Sequence, residues 1–270
     1  MDGDGHTGAV RRAACGLMPE WRIADVHVLG FLEGGYSHRN YRLRAHGQDY
    51  AIRLPRGLSA AQRDFERRWW LQLPAALSAP LIRYDRHTGA LLTRWVEGPL
   101  LVHADQDEAA LVRYVRALHA DLPDPKRRYD LTGLVDAWLP GERQAAVQQA
   151  RDLVGSAAGK HLAACHNDLN PWNVICAEPG WVTLDWEMVG RNDPLFDVIV
   201  AGYGLDKSAN EVLSLCETYL QDRVETERFE RLSTAFWLRE FAWAHNQLLR
   251  GNERAEVVRQ RAVALDRLSG

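Results

Sequence analysis

Residues His166 to Asn173 read H-N-D-L-N-P-W-N, and twelve residues further on Asp185 ends the apolar run W-V-T-L. These oxygen-bearing side chains are spaced for work on phosphate. A loop carboxylate such as Asp168 can accept the proton of an attacking hydroxyl and hold that oxygen in line. Asn173 and Asp185 offer an amide oxygen and a second carboxylate, which can share one hard cation. So few protein ligands, all of them oxygen, suit Mg2+, which keeps waters and takes phosphate oxygens as its other ligands. His166 reads as a brace that hydrogen-bonds the loop. The chemistry implied is transfer of a phosphoryl group to a hydroxyl.

Such a constellation needs a frame. Val174 to Ala177 and Trp181 to Leu184 are short apolar runs on either side of Glu178-Pro179-Gly180, which predicts a hairpin. Symmetry about Pro179 would set Asn173 across from Asp185, with Cβ atoms about 5 Å apart. Upstream, Ala24 to Leu54 alternates as three strands of an antiparallel sheet. The last two are joined through His46-Gly47-Gln48-Asp49, and a turn centred near Gly47 would put Arg53 opposite Tyr41. Ser59-Ala-Ala-Gln62 has the form of a capping box opening a helix that stops before Pro74, with Phe65, Trp69 and Leu73 as its apolar stripe and Glu66 beside it.

A Gly98-Pro99 break follows Leu91 to Glu97 and predicts two domains, 1–98 rich in strand and 99–270 mainly helical. In the second, Leu111, Val115 and Leu118 line a helix that Pro123 stops, and Asp124 to Asp130 reads as a loop. Helical patterns resume over about 142–154, after Ser208, and twice beyond Glu227, with Gly251 as a C-cap.

Composition narrows the function classes. With 46% hydrophobic and 26% charged residues the chain suits a packed globular enzyme rather than a disordered segment. A net charge of -3, with Lys and Arg spread rather than clustered, leaves no footprint for nucleic acid. Cys15, Cys165, Cys176 and Cys216 form no C-x-x-C pair, so neither a zinc site nor a disulfide framework is expected. The start M-D-G-D-G-H-T-G lacks a basic stretch before an apolar core, and no run approaches the about 18 apolar residues of a membrane span. A reduced cytoplasmic setting without membrane insertion is expected.

The run H-N-D-L-N-P-W-N-V-I followed by L-D-W-E-M-V-G-R-N-D-P-L-F-D resembles the aminoglycoside phosphotransferase and choline kinase-like superfamily, nearest its bacterial choline kinase and thiamine kinase branch. The resemblance extends from Val26 to about Trp243. It implies an α+β, two-lobed protein-kinase-like fold with a small antiparallel-sheet lobe and a larger, mostly helical one. It implies ATP and Mg2+ as cofactors, Asp168 as catalytic base, and Asn173 and Asp185 as metal ligands. The loop from Glu33 to Asn40, with Gly34, Gly35 and Ser37, would cover the ATP phosphates, and Thr93 to Glu97, with Trp95 and Val96, would meet adenine. Y-A-I-R stands where a kinase third strand reads V-A-I-K, so Arg53 would contact phosphate as a fork, with Glu66 or the nearby Asp64 as its helix partner.

Asp185 is followed by neither Phe-Gly nor A-P-E, so a protein substrate is disfavoured and a small alcohol is expected. Trp186 and Glu187 adjoin a metal ligand, and Phe236, Glu240 and Trp243 share a helix face. Trp186, Glu187, Glu240 and Trp243 could hold a cationic acceptor such as choline, ethanolamine or thiamine by cation-π and charge attraction. Aminoglycosides would call for a denser acidic pocket than the late helices, with their alternating Arg, provide. Aminoglycoside phosphorylation and a nucleotide-binding pseudokinase that serves as a partner module stand as the alternatives.

Overall fold

The structure is a computed structural model that describes residues 3–32, 38–105, 107–155 and 161–270. Gly34, Gly35 and Ser37 of the expected phosphate loop lie outside the described residues. In chain order the elements are α1 (Gly3–Leu17), β1 (Val26–Leu32), β2 (His38–Ala45), β3 (Gln48–Pro55), α2 (Ala60–Trp70), β4 (Leu81–Tyr84) and β5 (Leu91–Arg94). Then come α3 (Glu108–Asp121), α4 (Leu131–Trp138), α5 (Ala145–Gly155), β6 (Ala163–Cys165), β7 (Val174–Ile175), β8 (Val182–Thr183) and β9 (Gly190–Asn192). The helices α6 (Leu195–Gly204), α7 (Ala209–Leu220), α8 (Thr226–Leu249) and α9 (Ala255–Ser269) complete the chain. The class is α+β, as expected. Two compact units divide it: Met1–Asp105 with Trp172–Glu187, and Gln106–Pro171 with Met188–Gly270.

The first unit is built on an antiparallel sheet of order β1-β2-β3-β5-β4. Its alternating inward residues, among them Tyr41, Leu43, Tyr50, Ile52 and Leu92, bury against Val10, Ala14 and Leu17 of α1. That helix is absent from the sequence expectation, although its stripe at four- and three-residue spacing is a helix signal. The β2–β3 turn corrects a register. His46 and Gly47 both have positive φ, 50° and 75°, so they form a two-residue primed turn and Gln48 already belongs to the strand. Arg53 therefore pairs with Asn40, and Tyr41 with Ile52. On α2 the Ser59 hydroxyl and the Gln62 side chain complete the capping box.

The segment returning to this unit is the β7–β8 hairpin. Val174 pairs with Thr183 and Ile175 with Val182. The Leu184 N–H donates to the Asn173 carbonyl at 2.7 Å, so Asn173 faces Leu184 and not Asp185. Symmetry about Pro179 is thus off by one residue. Bridges from Ser78 to Thr183 and from Leu100 to Ile175, together with Cys176 N–H donating to Pro99 O at 2.8 Å, tie the hairpin to the unit.

The second unit is helical around α8, which packs on α4, α5, α6 and α9. Helices α4 and α6 are further elements that the sequence reading did not assign. In α6, L-F-D-V-I-V-A-G-Y-G, residues Leu195 to Tyr203 are all buried, so no polar face marks its period. Among the described residues no helix is long and apolar enough to cross a membrane. All four cysteines are free thiols.

Candidate active site

In the second unit the loop bearing Asp168 leaves β6, which pairs with β9. Asp197, in the first turn of α6, fixes its start: Oδ2 accepts from the His166 N–H at 2.8 Å and Oδ1 from the Asn167 N–H at 2.7 Å. The His119 Nε2 lies 2.9 Å from Oδ2. Burial would raise the Asp197 pKa, but the His119 hydrogen bond and charge, with help from His166, hold it below the usual value. Asn167 takes a left-handed φ of 65° and its Nδ2 donates to the carbonyls of Cys165, Met188 and Gly190. The Asp168 N–H donates to His166 Nδ1 at 3.2 Å. The loop is therefore over-determined from both strands and from α6, which is how strained backbone persists. Asp193 caps α6 through the Leu195 N–H and takes two bonds from Arg228.

Arg239 on α8, 4% exposed, reaches this loop. Its Nη1 donates to the Asn167 carbonyl and lies 3.4 Å from Asp168 Oδ1. Its Nε and Nη2 donate to Glu240 Oε1 at 3.0 and 2.8 Å. The guanidinium carbon sits 5.6 Å from the ring centres of both Phe196 and Phe236. Burial would lower the Arg239 pKa, yet Glu240, Asp168 and Tyr129 outweigh it and raise it. The other oxygen of Glu240 accepts from Gln260. Glu240, expected on the acceptor, thus has both oxygens engaged internally, Phe236 is core, and Trp243 is half-buried. Arg239 was not singled out from the sequence, because nothing in local spacing connects it with a loop some seventy positions earlier.

In the first unit Arg53 of β3 and Glu66 of α2 pair at 2.6 Å, with side chains 9% and 6% exposed. The partner is Glu66 rather than Asp64, and the Tyr84 hydroxyl donates to its second oxygen at 2.9 Å. Asp185 has a left-handed φ of 56°. Its Oδ1 is buried without a hydrogen bond. Burial and then the Glu187 charge push its pKa up to about 6, against the pull of Arg53 and His38. His38 Nε2 lies 3.4 Å from Glu187 Oε2. Asn173 is half-buried in the turn that opens β7. Trp186 is fully buried, its ring 6.2 Å from that of Trp69, which makes it a core residue with no exposed face. The Trp95 ring lies 4.2 Å beneath the Arg42 guanidinium, while Val96 packs by Ala79, Ala177 and Val182.

The sequence matches the phosphotransferase enzyme family over residues 28–237. It is 36% identical over 89 residues to protein LicA of Haemophilus influenzae, a match covering 32% of this chain and only 29% of that protein's length. Among solved structures it is similar to a choline/ethanolamine kinase family protein from Mesorhizobium loti, with TM-score 0.72 and 22% identity over 97% of this chain and 93% of that one. It is also similar to a spectinomycin phosphotransferase solved with ADP and spectinomycin, with TM-score 0.64 and 14% identity over 91% and 93%. At those identities the structural likeness is one of fold, the kinase-like fold of this group. The chain belongs to the phosphotransferase enzyme family.

Proposed function

We propose that the protein is an ATP- and Mg2+-dependent small-molecule kinase that transfers the γ-phosphate to a hydroxyl of an amino-alcohol-type acceptor of the choline, ethanolamine or thiamine kind. The observation that carries this reading is the Asp168 loop: a half-exposed carboxylate on a backbone pinned by Asp197 and Arg239, five residues ahead of Asn173. The acceptor class is supported by the likeness to LicA and to the choline/ethanolamine kinase family protein.

In this reading Asp168 takes the proton of the acceptor hydroxyl, and Arg239 and the His166 imidazole hold the carboxylate and its backbone in place. Asn173 and Asp185 would hold Mg2+, and the buried Asp185 Oδ1 without a hydrogen bond fits a cation partner. When bound, that ion neutralises charge on the β- and γ-phosphates. Arg53, kept rigid by Glu66, forks onto phosphate oxygens. Gly34, Gly35 and Ser37 would donate to the phosphates, and the backbone at Trp95 and Val96 would meet adenine. Trp243 is the aromatic retained for a cationic headgroup. A cytoplasmic location is part of the same proposal.

The test is ADP release measured with choline, ethanolamine, thiamine and a set of aminoglycosides. Acceptor-dependent release with one of the first three is expected. Turnover confined to aminoglycosides, or none with any alcohol, overturns the acceptor assignment.

A further inference from the structure

His38, at the start of β2, is a buried histidine beside Asp185 and Glu187. It is 3% exposed, and neither ring nitrogen makes a hydrogen bond. A buried imidazole in that state lacks the hydrogen bond that such groups almost always make. Its ring is aimed at two carboxylates. One donor atom from each of His38, Asp185 and Glu187 lies within 4.8 Å of the other two. His38 Nε2 is 3.4 Å from Glu187 Oε2, and Asp185 Oδ1 is likewise buried without a hydrogen bond. Ligands about 2.1 Å from one ion lie about 3 Å apart when adjacent and about 4.2 Å apart when opposed, so the three atoms are within a small shift of a common coordination sphere. A simple ion pair between His38 and Glu187 would leave the Asp185 oxygen unsatisfied; one divalent ion satisfies all three groups.

We propose that His38 gives an imidazole nitrogen to the divalent ion held with Asp185 and Glu187, so that this site binds Mn2+ more tightly than Mg2+. The chemistry follows from the donor set. Mg2+ prefers oxygen and gives up its waters reluctantly, whereas imidazole favours the first-row transition ions. Glu187, expected to face the acceptor, becomes an ion ligand. The use of that ion in phosphoryl transfer rests on the kinase reading, but its binding does not.

The experiment is pulsed electron paramagnetic resonance of Mn2+ added alone to the full-length protein grown with 15N-histidine. The expected signal is a directly bound 15N coupling in the wild type that disappears in His38→Asn. Mn2+ affinity should fall about ten-fold or more in that variant, while Mg2+ affinity changes far less. His38→Gln is run in parallel, and metal-free melting of both variants verifies folding. Absence of 15N coupling in the wild type, or the same coupling in folded His38→Asn or His38→Gln, overturns the inference. Bound Mn2+ with 15N coupling in a protein that phosphorylates nothing would sink the kinase reading alone, and turnover without the coupling would sink this inference alone.

Discussion

At the residue scale the proposed reaction rests on one proton acceptor, Asp168, and on Arg239, whose Nη1 lies 3.4 Å from it. Asp168→Asn should lower turnover by about 10²- to 10⁴-fold, the usual worth of a general base, with ATP affinity by calorimetry changed little. Unaltered turnover would remove Asp168 from the mechanism. Arg239 touches the loop carbonyl, the Asp168 carboxylate and Glu240 from a side chain 5% exposed. Removing it leaves the partly buried Glu240 and the Asn167 carbonyl without their cationic partner, so Arg239→Ala should destabilise the fold by about 3 kcal/mol in denaturant titration. Arg239→Lys keeps the charge and loses the fork, and should recover stability better than turnover. Equal stability of wild type and Arg239→Ala would mean that the buried cluster carries nothing.

At the scale of elements the Asp168 loop is governed by α6 through Asp197. Its folded pKa is depressed, so its contribution is present above the unfolded carboxylate value of about 3.9 and is lost as pH falls through the folded value. Asp197→Ala should therefore be much less stable than wild type at pH 7, with the gap narrowing below about pH 4 in melts across pH. A gap independent of pH would show that packing, not charge, is what Asp197 supplies. Much of this was legible in the sequence. The Ser59 capping box, the helix start after Ser208, Gly251 after α8 and the strand alternation were readable because each is a local pattern. Both hairpin registers slipped by one because they depend on turn conformation: positive φ at His46 and Gly47 in one, and a turn not centred on Pro179 in the other. Helix α6 was invisible because it is apolar all round. Burial of Trp186 and the placement of His38 and Arg239 arise from tertiary packing that no spacing encodes.

For the whole molecule, the first unit is discontinuous in sequence: residues 172–187 return to it and pair with Ser78 and Leu100. A fragment of residues 1–105 lacks those strands and should show poor amide protection and rapid proteolysis, whereas the full chain resists both. ATP with Mg2+ at 100 times its Kd should stabilise the full chain by about 2.7 kcal/mol, seen as a raised Tm. The proposed reaction moves phosphate from ATP to a small alcohol. Its most direct test is 31P NMR of a reaction with ATP, Mg2+ and choline, ethanolamine or thiamine. A new phosphate monoester resonance growing in step with ADP is expected, and none with Asp168→Asn. ATP left intact, or ADP and inorganic phosphate with no ester for any of the three acceptors, would contradict it.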